Sequence, residues 1–197
     1  MKMTRNAEIM TKQRAREYVR EASLKITPEK ITAANKRIST YCYSVLRQQG
    51  VASIFIYVSL QSEVDTHELI KRALKDKVEV YVPKLIGDNE MVAARLYTWE
   101  RLIMSKYKYH EPKTTKNISS KIDTVIAPGL AFSKEGARLG RGLGCYDRWL
   151  SENSYSEIIG LAYEHQILDT VPTSQHDINV TQIITEKRRI ICTGANL

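Results

Sequence analysis

Apolar residues recur at helical spacing through Ile31, Ala34, Ile38, Cys42, Val45 and Leu46, which predicts a core-packing helix with one apolar face. Thr27-Pro28 supplies a hydroxyl cap and a first-turn proline, and Gly50 stops the helix. Val51–Val58 is apolar almost without a break, the pattern of a strand covered on both faces. Similar runs return at Val78–Val82, Asp123–Ala127 and Ile158–Ala162, with further strand-like runs at Ile178–Thr185 and Ile190–Cys192. Short helices are expected over Thr66–Lys75, where Asp65 and Glu68 form a capping box, and from Tyr146 to Ser151. Met91–Tyr97 follows a turn at Gly87-Asp88-Asn89 and predicts an antiparallel return strand. Thr4–Leu24 reads as a charged helix with a weak apolar stripe at Ile9, Ala15, Tyr18 and Ala22. Arg101–Lys121 has no clear period and reads as an ordered loop, whose Tyr107 and Tyr109 either stack on a flat ring or cover the core. Strands alternating with helices predict an α/β fold: three layers, α/β/α, with a mostly parallel sheet and helices on both faces.

Composition narrows the class. A chain of 197 residues is expected to form one domain over 1–197, large enough for a real core. No apolar run is long enough to span a bilayer, and the charged N-terminus does not read as a secretory leader. The three cysteines, Cys42, Cys145 and Cys192, are far apart and odd in number. They argue against a disulfide framework and fit a reducing cytoplasm. The four histidines, His67, His110, His165 and His176, lack metal-ligand spacing and read as surface or packing residues. The net charge of +8 raises nucleic acid as a partner. Yet the basic residues are spread along the chain and do not interleave with aromatics as a stacking platform requires. A cleft for small polyanions accounts for the same excess.

The chemistry concentrates in Ile126–Leu150. An apolar strand ends at Pro128; Gly136, Gly140, Gly142 and Gly144 follow, and then a helix begins. Closely spaced glycines bring backbone N–H groups near a ligand, and a helix N-terminus favours anions. Arg138 and Arg141 add two guanidinium groups suited to phosphate, and Asp147 adds a carboxylate suited to a divalent cation. The stretch is neither a Walker loop nor the dinucleotide fingerprint. A Gly-rich surface turn with solvated arginines fits the bare pattern as well.

The segment P-G-L-A-F-x-x-x-G-x-R-L-G-R-G-x-G-x-Y-D, Pro128 to Asp147, resembles the signature of 5-formyltetrahydrofolate cyclo-ligases, also called 5,10-methenyltetrahydrofolate synthetases. The resemblance implies ATP- and magnesium-dependent closure of 5-formyltetrahydrofolate, with or without a polyglutamate tail, to 5,10-methenyltetrahydrofolate. It implies that Lys12, Arg16, Arg138, Leu139, Gly140, Arg141, Gly142, Leu143, Gly144, Cys145 and Tyr146 bind the nucleotide. Val58, Glu63, Arg141, Gly142, Leu143, Gly144 and Cys145 would meet the folate, with Arg141 and Glu63 the catalytic pair. Asp147 and Asp177 would hold magnesium, and Lys84 transfers less directly. The family commonly has a second tyrosine where this chain has Cys145, and glycine or lysine where it has Leu143. Weaker ring stacking and one fewer phosphate donor are the implied consequences. A cytoplasmic monomer, with no nucleic-acid or membrane partner, completes the expectation. Two other classes compete: an isomerase or CoA transferase on phosphorylated small molecules, which lacks its glutamate motif here, and a nucleic-acid binder supported by charge alone.

Overall fold

A computed structural model describes residues 11–86, 90–105, 109–115, 119 and 121–194. Helix α1 (Lys12–Ser23) starts where the Thr11 hydroxyl accepts the Arg14 N–H, and α2 (Pro28–Gln48) starts on Thr27 in the same manner. Ile9 and the predicted Gly87-Asp88-Asn89 turn lie outside the described residues. The predicted stripe on α1 is out of phase: Ala15 and Val19 are buried, whereas Tyr18 is 56% exposed. The inner face of this helix pairs two small apolar residues with the cations Lys12 and Arg16, so hydrophobicity alone misplaces it. α2 buries its predicted face, including Ala34, Ile38, Cys42, Val45 and Leu46.

Strand β1 (Ser53–Ile56) leads to α3 (His67–Lys75), then to β2 (Glu79–Leu85) and β3 (Met91–Leu96). The expected capping box on α3 is absent. Asp65 accepts the His67 N–H at 2.8 Å, and Glu68 pairs instead with Lys71 at 2.8 Å. Where a loop was expected, β4 (Leu102–Met104) and β5 (His110–Pro112) form an antiparallel hairpin; Tyr107 lies outside the described residues. The remaining elements are β6 (Lys121–Ala127), β7 (Ala131–Ser133), β8 (Arg138–Leu139), α4 (Cys145–Glu152), β9 (Ser154–Leu161), β10 (Ile167–Leu168), β11 (Gln182–Ile184) and β12 (Arg189–Ile191). The run expected from Ile178 becomes a strand only at Gln182, where pairing with β9 begins.

The main sheet has seven strands in the order β12-β11-β9-β6-β1-β2-β3. Its five inner strands are parallel, and β3 and β12 close the two edges antiparallel. On β1, Ile54 and Ile56 pack with α2 and α3, whereas Phe55 meets Trp149 of α4 at 4.6 Å between ring centroids. Each such buried side chain contributes about 2 kcal/mol of transfer free energy. Both faces are therefore covered by helices, and the expected three layers are present. A second small sheet, β10-β7-β8, packs under α1 through Ala131, Leu139, Ala15 and Val19.

This topology positions a crevice. From β1 the chain builds outward to β2 and β3; it then returns to β6, on the other side of β1, and builds the opposite way. The loops leaving β1 and β6 diverge at their carboxyl ends, which is where open α/β sheets take ligands.

Candidate active site

A cavity of about 370 Å³ opens at that switch point. All the site residues expected from the sequence except Lys84 line it: Lys12, Arg16, Val58, Glu63, the stretch 138–147 and Asp177. The loop after β1 delivers Val58 and Glu63, the segment after β6 delivers 138–147, α1 delivers Lys12 and Arg16, and the approach to β11 delivers Asp177.

The two arginines of the glycine-rich stretch differ in kind. Arg138 is not a loop cation. It stands on β8, its side chain only 4% exposed, and its Nη2 donates to Asp147 Oδ1 at 2.6 Å. Its Nη1 donates to the Pro128 carbonyl at 3.2 Å, and its guanidinium lies 5.8 Å over the Tyr146 ring. Burial at this strand position ties Arg138 to the structure as much as to a ligand. Arg141, 47% exposed, stands in the loop beyond it. Its Nε and Nη2 both donate to Glu63 Oε1, at 3.2 and 3.1 Å, and Nη2 also donates to Ser62 Oγ at 2.9 Å. Glu63 Oε2 accepts the Leu60 N–H at 2.9 Å.

The glycines divide in the same way. Gly136 closes the β7–β8 turn at φ +100, and Val180 donates its N–H to the Gly136 carbonyl at 2.8 Å. It belongs to the framework. Gly142 (φ +109) carries the loop across Arg16, and Arg16 Nε donates to the Gly140 carbonyl at 3.1 Å. Gly144 (φ +67) enters α4, and no side chain caps that helix. Its first N–H groups are thus turned toward the loop, with the positive end of the helix dipole behind them.

Asp147 and Asp177 each use one oxygen for the protein. Asp147 Oδ1 takes both Arg138 and the Ile178 N–H, at 2.6 and 3.1 Å. Asp177 Oδ2 takes Lys12 Nζ at 2.5 Å and the Ser174 N–H at 2.7 Å. Among the described residues no group of three His, Cys, Asp or Glu converges as a metal cage. A pair of carboxylates without a third protein ligand is a poor zinc site. It fits a hard cation that completes its shell with water and phosphate oxygens, as magnesium does.

The cavity lining also has an apolar and aromatic part. Val58, Leu60, Pro83, Leu85, Tyr109 and His110 form it, together with Tyr57. Of these, the sequence pointed to Val58 through the resemblance and to Tyr109 as a tyrosine suited to stacking on a flat ring or covering the core; the others it did not single out for the site. His110, expected to be a surface or packing residue, is carried into the cavity by the β4–β5 hairpin, and the end of β2 supplies Pro83 and Leu85. These residues share no local motif; strand pairing alone brings them together. Lys84 is not part of the lining, because its Nζ donates to the Pro112 carbonyl at 2.7 Å and to Glu111 at 3.4 Å. Tyr146 stacks on Phe55 at 5.7 Å, and its buried hydroxyl has no hydrogen-bond partner among the described residues. Burial pushes that phenol above its ordinary range, so it remains a donor. Burial also raises the Cys145 thiol, which therefore lacks the thiolate a nucleophile needs.

The comparisons with known proteins come to the same place. The model of the 5-formyltetrahydrofolate cyclo-ligase family matches residues 8–186. The mouse 5-formyltetrahydrofolate cyclo-ligase is 30% identical over 152 residues, covering 70% of this chain and 75% of its own length. The Escherichia coli K12 enzyme of the same name is 25% identical over 177 residues, covering 86% of this chain and 97% of its own. Among solved structures, the 5,10-methenyltetrahydrofolate synthetase of Aquifex aeolicus superposes with a TM-score of 0.82 at 27% identity, covering 95% of this chain and 96% of that one.

Proposed function

The chain belongs to the 5-formyltetrahydrofolate cyclo-ligase family, and on that premise we propose that it converts 5-formyltetrahydrofolate to 5,10-methenyltetrahydrofolate at the expense of ATP. One observation carries the reading: Arg141, from the cationic half of the cavity, is hydrogen-bonded to Glu63, which borders the apolar half. A phosphate held by Arg141 and a flat ring held beside Glu63 would then lie against each other, as transfer between them requires.

The chemistry asks for positioning and charge neutralisation rather than a protein nucleophile. The oxygen of a formyl group on nitrogen is a poor leaving group until it carries a phosphoryl group. In the proposed sequence that oxygen attacks the γ-phosphorus and ADP departs, leaving an iminium phosphate. N10 then attacks the formyl carbon, the phosphate leaves with the bonding electrons, and N10 loses its proton. Lys12, Arg16 and Arg141, which line the cavity, would face the phosphates, and the loop N–H groups from Gly140 to Gly144 would donate to them. Arg138 holds Asp147 in place beneath them. Glu63 orients the pterin edge, and the wall of Val58, Leu60, Pro83 and Leu85 covers its ring and keeps water from the phosphorylated intermediate. Asp147 and Asp177 would hold magnesium, which when bound neutralises the phosphate oxygens. Lys12 and Arg138 now occupy the oxygens that each carboxylate gives to the protein, and the other oxygens remain for the ion.

Purified protein mixed with 5-formyltetrahydrofolate and Mg-ATP is expected to produce the methenyl chromophore, and to produce none without ATP. A chain that yields no ATP-dependent signal at high enzyme concentration does not catalyse this reaction. Asp177→Asn is expected to raise the magnesium concentration for half-maximal rate by about tenfold or more, with the Km for folate little changed. A magnesium titration identical to wild type would take Asp177 out of the ion site.

A further inference from the structure

We infer that Tyr163 and Asn35 are positioning residues for Glu63, holding the backbone of its loop so that the carboxylate faces the cavity. The inference rests on the proposed folate role of Glu63. Tyr163 follows the carboxyl end of β9, and Asn35 lies on α2, so the pair reaches the loop from two separate elements. The Tyr163 hydroxyl donates to Asn35 Oδ1 at 2.8 Å and lies 3.3 Å from the Glu63 carbonyl. Asn35 Oδ1 also accepts the Asp65 N–H at 3.1 Å. Between these two tethers, the Val64 carbonyl accepts the Tyr57 hydroxyl at 3.0 Å. Three consecutive residues are thus fixed through their main chain, and Glu63 is the first of them. Each tether removes backbone freedom from a loop that would otherwise sample several positions.

The details fit support from behind rather than contact with substrate. Asn35 and Tyr163 are not part of the cavity lining, whereas Glu63 is. Burial pushes the Tyr163 phenol up to about 12, so it stays a hydrogen-bond donor at neutral pH. Its ring stacks on His165 at 5.6 Å, a contact that phenylalanine would keep. Removing the hydroxyl therefore isolates the tether. The loop's alternative anchor, Arg141, is itself a ligand candidate and would turn to phosphate when nucleotide binds. Asn35 and Tyr163 would then keep Glu63 in place.

The test uses Tyr163→Phe, Asn35→Ala and the double variant, with each substrate varied while the other is saturating. Each single variant is expected to raise the Km for 5-formyltetrahydrofolate roughly tenfold, with the Km for Mg-ATP unchanged within about twofold. The double variant is expected to be little worse than the poorer single one, because both act on one loop. Tyr43→Phe serves as the comparison. It too removes a phenol hydrogen bond, here to the Asp76 carboxylate, but at the opposite end of the sheet, and both Km values should stay at wild type. Should Asn35→Ala fail to fold, Asn35→Ser takes its place. A wild-type folate Km in both variants, an equal rise in both Km values, or a loss of melting temperature alone would each overturn the inference. Wild-type protein without turnover would overturn the reading of the reaction instead, so the two failures are separable.

Discussion

Arg141→Ala is expected to lower kcat/KM by a factor on the order of 10³ while moving the melting temperature by about 2 °C or less. The two halves of this expectation have separate causes. Arg141 is 47% exposed, and among the described residues it bonds only to the side chains of Glu63 and Ser62. An exposed pair of this kind contributes little to stability, about 1 kcal/mol or less. Glu63 keeps the Leu60 N–H when the arginine is gone. Turnover is a different matter, because phosphoryl transfer depends on cations fixed around the moving group. Arg141→Lys is expected to recover only part of the loss, since an ammonium cannot reproduce the planar fork. Steady-state kinetics and a thermal melt on the same sample check both halves. Kinetics indistinguishable from wild type would remove Arg141 from the chemistry.

Gly136→Ala is expected to act the other way, costing about 3–5 kcal/mol of stability and about 10 °C or more in melting temperature. At φ +100 an L side chain is already strained, and a Cβ there would stand 2.3 Å from the Val180 carbonyl oxygen. That oxygen belongs to backbone and cannot swing aside as a side chain would. The Cβ atoms of Cys192 and Asn179 stand behind it, at 3.1 and 3.4 Å. Gly144 offers the contrast. It also has positive φ, +67, but a Cβ there meets nothing within 4 Å, so Gly144→Ala is expected to cost only about 1 kcal/mol. Urea denaturation of the two variants side by side measures the difference. Equal midpoints would mean that the β7–β8 turn can relax in a way its packing does not suggest.

These glycines mark what could be read from the sequence and what could not. In the sequence Gly136, Gly140, Gly142 and Gly144 form one cluster, and the cluster correctly locates the cavity. Nothing local says that Gly136 serves a hairpin while the other three serve the ligand loop, because the Val180 carbonyl that decides it lies far along the chain. Arg138 and Arg141 repeat the lesson: both read as loop cations, and only strand pairing buries the first. α2 and the inner strands were legible because their apolar periods are long and nearly uninterrupted. The β4–β5 hairpin was not, since its strands have three residues each and alternate too briefly to show a period. α1 was legible as a helix but not in phase, because Lys12 and Arg16 lie on its inward face. The cationic half of the cavity comes largely from one contiguous motif and could be found. The apolar half is assembled from β2, the hairpin and the end of β1, and tertiary structure alone reveals it.

The antiparallel strands at the two rims of the main sheet have a bearing on solution behaviour. A parallel edge left bare would offer unpaired amides to any passing chain. Here β3 and β12 turn back along the rims and bring guanidinium groups with them: Arg95 stands 2.9 Å from Glu79, and Arg189 donates to Gln182 at 2.6 Å. Arg95 is matched by Glu79, whereas Arg189 is exposed on β12 and sets a positive charge on that rim that opposes lateral joining there. The strand that finishes the β12 rim thereby also discourages cross-β stacking along it at high concentration.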